Sequence, residues 1–219
     1  MCKDSKLRGI FFDFDGTLAN SMHMMYRAYE LFLNEFQIPP SKNGFALLNG
    51  PPLNIIVQSI QKSYNLPFSV EYLLERYNYI IDELFMSVPP NDGANDLIDA
   101  ALNHSLKLAL VTSNSKVRVS TWLEKNGFEN KFNCIISNED VLIGKPHPEP
   151  YLLALEKTNL ADYQVIAVED SEQGALSACK AKIKTYLMLN GSALNNSFNE
   201  NIIFVNSLTD LNKILFRSG

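Results

Sequence analysis

The chain has 219 residues, of which 46% are hydrophobic and 20% charged, with a net charge of −5. That is enough apolar material for a sizeable core in one or two domains, and an acidic balance with no Lys/Arg-dense stripe argues against nucleic acid as the main partner. No apolar run approaches the roughly 20 residues of a membrane span, and Cys2, Cys134 and Cys179 are far apart and odd in number, the pattern of reduced thiols in a cytoplasmic protein.

Residues 1–6 are charged, but the apolar run after them is cut by Asp13 too early to act as a signal-peptide core. That run, Ile10 Phe11 Phe12, reads as a buried strand and drives straight into Asp13 Phe14 Asp15 Gly16 Thr17 Leu18. Residues two apart in an extended chain point to the same side. Asp13 and Asp15 can therefore converge while Phe14 faces away, and clustered like charges call for a metal, a shared proton or both.

Residues 20–88 carry no convincing strand and are far too long for a structureless loop. Met25, Tyr29, Phe32 and Phe36 fall on one helical face; Leu53, Ile56, Val57 and Ile60 form a second stripe; Leu73, Tyr77, Ile80, Ile81 and Leu84 form a third. A turn over 45–48 is a candidate fourth helix. The insert is bounded by Asn20 Ser21 and Pro89 Pro90 and follows the two aspartates directly, so it reads as a cap over them.

From residue 94 onward strands and helices alternate. A helix over 94–104 precedes a strand over 106–111 that ends in Thr112 Ser113 Asn114, and Val119, Trp122 and Leu123 recur at helical spacing after it. A strand over 132–136 is followed by a loop holding Lys145 Pro146, then a helix over 151–157. A strand over 165–168 ends in Glu169 Asp170 Ser171 and precedes a helix over 175–180. Weaker strands cover 183–189 and 202–205, with an Asn/Ser-rich surface loop over 190–201 between them. This alternation predicts an α/β fold, a doubly wound, Rossmann-like parallel sheet with helices on both faces, whose ligands bind at the carboxyl ends of the strands. Residues 1–19 and 89–219 would form this core, and 20–88 an all-helical cap domain.

The strand ends and the loop with Lys145 supply a coherent chemistry. Asp13 and Asp170 offer carboxylates and Asp15 a backbone carbonyl to a hard divalent cation, for which Mg²⁺ is the natural candidate. Phosphoryl transfer needs an in-line nucleophile, charge neutralisation and a proton source, and each has a candidate here. The set resembles the haloacid dehalogenase superfamily, in the branch with a helical cap that includes phosphoglycolate phosphatases and β-phosphoglucomutases. Its D-x-D-G-T/V motif matches Asp13 Phe14 Asp15 Gly16 Thr17, its Ser/Thr motif Thr112, its lysine motif Lys145 in Gly144 Lys145 Pro146, and its acidic motif Glu169 Asp170.

The resemblance implies a Mg²⁺-dependent phosphatase acting on a small phosphorylated metabolite through an aspartyl-phosphate. Asp13 would be the nucleophile and Asp15 the general acid and base, while Thr112, Ser113 and Asn114 hold the phosphoryl oxygens with Lys145. Asp13, Asp15 and Asp170 would ligate the metal, with Glu169 as a further ligand or just behind them. A monomer is expected.

Other readings of the aspartate pair explain less. A nucleotide-sugar transferase D-x-D leaves Lys145 and Glu169 Asp170 unused, and an EF-hand loop would need glycine at position six, whereas Gly16 is at position four. The founding dehalogenases lack an acidic residue at the place of Asp15. A sugar-phosphate mutase of the same branch typically has a histidine where Met25 stands and an arginine in the cap loop 47–53, which here contains Gly50 Pro51 Pro52 Leu53 and no arginine. A non-catalytic binding protein on this fold would be expected to have lost Asp13, Lys145 or Asp170, and all are present. Met22, Met24, Met25 and Tyr26 at the cap entrance could line a substrate or simply pack, and His23 and His147 read as solvated residues.

Overall fold

The computed structural model describes residues 7–46, 53–189 and 202–216. A strand β1 (Gly9–Phe12) is followed by four helices, α1 (Met22–Glu35), α2 (Lys42–Ala46), α3 (Leu53–Tyr64) and α4 (Val70–Phe85), and then by α5 (Ala94–Asn103). The alternation resumes with β2 (Lys107–Val111), α6 (Lys116–Lys125), β3 (Cys134–Ile136), α7 (Glu149–Thr158), β4 (Val165–Glu169) and α8 (Glu172–Lys180). It ends with β5 (Lys184–Met188), β6 (Ile202–Val205) and α9 (Leu208–Phe216). The six strands form one sheet in the order β3-β2-β1-β4-β5-β6, every neighbouring pair parallel.

Burial on both faces explains why the inner strands are apolar throughout rather than alternating. All four residues of β1 are buried. Ile10 and Phe12 pack with Leu108, Leu110 and Val168 on the face covered by α5, α6 and α9, while Phe11 packs with Ala109, Ala167 and Tyr151 on the face of α7 and α8. The strand order reverses between β1 and β4, because connections from β1 run to one side of the sheet and those from β4 to the other. Loops diverge there and leave a crevice at the carboxyl ends. Asp13 and Asp170 are the residues that leave β1 and β4 at that crevice.

Helix α4 packs against both α1 and α3, with Phe32 of α1 stacked on Tyr77 of α4 at 4.7 Å and Arg76 gripping both oxygens of Glu35. The chain enters and leaves this bundle side by side. Asn20 N–H donates to the Pro89 carbonyl at 2.9 Å, and Ala19 and Pro90 form an antiparallel bridge. Asn91 Nδ2 then donates to the carbonyls of Gly16 and Thr17 at 2.8 and 2.7 Å, fastening the exit segment to the loop that carries the aspartates.

Differences from the sequence-based expectations have local causes. The third strand starts at Cys134 rather than 132, because the Asn133 side chain takes the Leu108 N–H at 2.9 Å and Phe132 turns its ring edge-on to Phe12. Helix α8 begins at Glu172, three residues before its apolar stripe, since the Ser171 hydroxyl caps it through Gly174 N–H. Leu84 is only partly buried, and Phe85 takes the inward position. The 45–48 turn is realised as α2 up to Ala46. The cap-loop string Gly50 Pro51 Pro52 and the 190–201 loop lie outside the described residues.

Phe14 faces away from the crevice, as alternation requires, and packs against Phe85 of α4 and edge-on to Trp122 of α6 at 5.1 Å. Trp122 is fully buried, stacks on Phe128 and donates Nε1–H to the Val88 carbonyl at 2.8 Å. One side chain thus backs the aspartate loop and the last turn before the core resumes. Trp122→Ala should lower unfolding free energy by about 3–5 kcal/mol in urea titration. A loss under about 1 kcal/mol would show that this packing does not support the loop.

Candidate active site

Asp13 continues the β1 line by one residue, its N–H donating to the Val168 carbonyl at 2.9 Å. Its carboxylate is therefore delivered at a fixed height above the sheet. Gly16, three residues on, turns the chain with φ +79°, and a Cβ there would lie 1.9 Å from Asp170 Oδ2. Only glycine allows the β1 loop to touch the β4 loop so closely. A second close approach lies beneath Glu169, where a Cβ on Gly174 would fall 1.9 Å from Oε2.

Lys145 reaches this junction from the loop after β3. Its Nζ is 2.6 Å from Asp13 Oδ1, 2.6 Å from Glu169 Oε1 and 2.9 Å from the Val111 carbonyl. Burial alone would pull the ammonium down, but Asp13 and Glu169 reverse that and hold its pKa above the usual lysine value. Glu169 is fully buried and also accepts from the Tyr151 hydroxyl at 2.5 Å. Burial, then Asp13, pushes Glu169 up to about 7. The same two causes raise Asp170 well above the carboxylate range, with Glu169 adding to them.

The two aspartates of the first loop occupy different environments. Asp13 is paired with a buried cation. Asp15 has no such partner: its Oδ2 accepts from Asn114 Nδ2 at 3.0 Å, and its Oδ1 is buried without a hydrogen bond. Burial, reinforced by Asp13, raises its pKa, so the carboxyl is held toward the protonated form.

Thr112 continues β2 in the same way that Asp13 continues β1, its N–H donating to the Ile136 carbonyl at 2.8 Å, and its hydroxyl accepts from Asn114 N–H. A cavity of about 110 Å³ joins these parts. Asp13, Asp15, Thr112, Ser113, Asn114, Lys145 and Asp170 all line it, and among the residues expected at the site Glu169 alone stands behind the wall. Carboxylate oxygens of Asp13, Glu169 and Asp170 lie within 4.8 Å of one another, and Glu169 Oε2 is buried without a partner. An all-oxygen cluster of this kind suits a hard divalent cation such as Mg²⁺.

Three contributors escaped the sequence reading. Tyr151 falls in the apolar stripe of α7 and reads as packing, yet its hydroxyl braces Glu169. Asn91 reads as part of a Pro-rich boundary, yet it clamps Gly16 and Thr17. Arg118 lines the cavity and spans from Asn114 Oδ1 at 2.8 Å to Asn78 and Asp82 of α4, a link between segments that no local pattern announces.

No helix of the described residues is long and apolar enough to cross a membrane. Among known proteins, a phosphorylated carbohydrates phosphatase of Thermotoga maritima is 26% identical over 182 residues, covering 81% of this chain and 83% of that protein. A phosphoglycolate phosphatase of Yersinia pestis is 28% identical over 187 residues, covering 81% and 79%. The crystal structure of CbbY from Rhodobacter sphaeroides in complex with phosphate superposes with a TM-score of 0.82 over 94% of this chain and 96% of that one, at 19% identity, a likeness of fold. Residues 10–188, from the first strand to the end of the fifth, match the haloacid dehalogenase-like hydrolase family, and the chain belongs to that family of hydrolases.

Proposed function

We propose that the protein is a Mg²⁺-dependent phosphatase that hydrolyses a small phosphomonoester through an aspartyl-phosphate on Asp13. The observation that carries this reading is the unequal pair of aspartates, one ion-paired to Lys145 and the other held toward its acid form. The phosphatases among the relatives support the same class of substrate.

In the first step an Asp13 carboxylate oxygen attacks phosphorus and the bond to the leaving-group oxygen breaks. Asp15 gives that oxygen its proton. In the second step Asp15 takes a proton from a water molecule whose oxygen attacks the aspartyl-phosphate, releasing inorganic phosphate and restoring Asp13. The Thr112 hydroxyl and the Ser113 amide hold nonbridging oxygens, Asn114 steadies the Thr112 hydroxyl through its N–H and Asp15 through Nδ2, and Lys145 offsets charge between Asp13 and the phosphoryl group. Asp13 and Asp170 would hold Mg²⁺ with the Asp15 carbonyl, and the bound ion would neutralise phosphoryl charge. Glu169 already serves Lys145 and Tyr151 through Oε1, so we assign it mainly to orienting the lysine.

Residues 20–88 act as the cap and residues 1–19 with 89–219 as the catalytic core. The side-by-side crossing at Asn20 and Pro89 supports that division. A mutase must grip a second phosphate, and Met25 offers no charge toward one.

Asp13→Asn is expected to lower phosphate release from p-nitrophenyl phosphate by at least about a thousandfold; retained activity would mean a different nucleophile. Saturating Mg²⁺ binds the folded carboxylate cluster selectively, and at a hundred times Kd it adds about 2.7 kcal/mol, a melting-temperature rise of roughly 5–11 °C. A melting curve unmoved by Mg²⁺ would remove the metal from this site.

A further inference from the structure

The cavity has two unlike halves. The strand ends contribute its polar floor, while helices α1, α3 and α4 contribute Met22, Met25, Leu53, Ile56 and Ile81 to the opposite wall. Tyr77 is the only polar side chain those three helices add to the lining, and its hydroxyl makes no hydrogen bond to a described residue.

Among the described residues, each cation that lines the cavity is already engaged. Lys145 is bound by Asp13 and Glu169. Arg118, whose side chain is 10% exposed, donates to Asn114, Asn78 and Asp82. Residues 47–52, Leu Leu Asn Gly Pro Pro, lie outside the described residues, and their sequence holds no charged side chain. A carboxylate or second phosphate on the leaving group would therefore lose its hydration against methionine, leucine and isoleucine with no charge in return. A polyhydroxylated leaving group would leave most of its hydroxyls unpaired on the same wall. An apolar group releases water from both surfaces at no such cost.

We propose that, given the phosphatase reading above, the preferred substrate is a monophosphate ester of an uncharged, largely apolar alcohol, with room for one polar atom at the Tyr77 hydroxyl. Met25 and Ile81 are then specificity residues, touching the alcohol rather than the phosphate.

The test compares kcat/KM for isoamyl phosphate, phosphoglycolate and a hexose phosphate with Mg²⁺ held constant. Isoamyl phosphate is expected to lead by at least about tenfold, the scale on which an apolar pocket sorts leaving groups. A lead for phosphoglycolate or the hexose phosphate, or equal rates, would overturn the substrate assignment and leave the phosphatase standing. Turnover of none of the three would instead contradict the phosphatase reading. Titration calorimetry with pentylphosphonate and its terminally carboxylated counterpart reads the wall without any turnover. Tighter binding of the alkyl compound supports the assignment, and equal or weaker binding overturns it. Met25→Lys should shift the isoamyl to phosphoglycolate ratio toward phosphoglycolate by about tenfold or more, and an unchanged ratio in a folded variant would count against Met25 as a wall residue.

Discussion

Lys145 stands 2.6 Å from both Asp13 and Glu169, with its ammonium almost wholly buried. Asp15 and Asp170 lie at the same strand ends, so among the described residues one directly bonded cation serves a cluster of four acidic groups. Removing that lysine would leave two buried carboxylates uncompensated, at a cost of about 3–5 kcal/mol. The rest of the site follows from this shortage of positive charge. Asp13 takes the lysine, while burial and the charge of Asp13 push Asp15 and Asp170 toward protonation. A divalent cation at Asp13 and Asp170 would relieve the strain that the lysine leaves.

Topology makes this crowding possible. The β1 and β4 strands are neighbours whose following loops part in opposite directions, so the space above them is open while the carboxylates on their ends remain close. Two glycines allow close approach here, Gly16 letting the β1 loop press on Asp170 and Gly174 letting the first turn of α8 press on Glu169. Asn91 and Trp122 then brace the first loop from behind, one through two backbone carbonyls and the other through Phe14. The result is a rigid polar floor facing a wall built from a separate set of helices.

Much of this was legible in the chain because it is written in local patterns. Apolar runs ending in polar clusters placed Asp13, Thr112 and Asp170 at strand ends, and helical stripes placed three of the four helices between β1 and α5. Side-chain bonds between distant segments left no such trace. The Asn133 side chain shortens β3, the Tyr151 hydroxyl braces Glu169 across 18 residues, and Arg118 joins Asn114 to α4. Each is a residue whose type has several ordinary uses, and only the tertiary packing decides among them. The pairing of Glu169 with Lys145 was similarly hidden, since an acidic residue beside Asp170 reads equally well as a metal ligand.

The proposed mechanism turns on covalent transfer of the phosphoryl group to Asp13. Mixing the protein with p-nitrophenyl phosphate and Mg²⁺, quenching in acid within the first turnover and mapping peptides by mass spectrometry tests it directly. A phosphoryl adduct is expected on the peptide that contains Asp13, and none in Asp13→Asn. Rapid phosphate release with no adduct on any peptide, at times when turnover is under way, would contradict it.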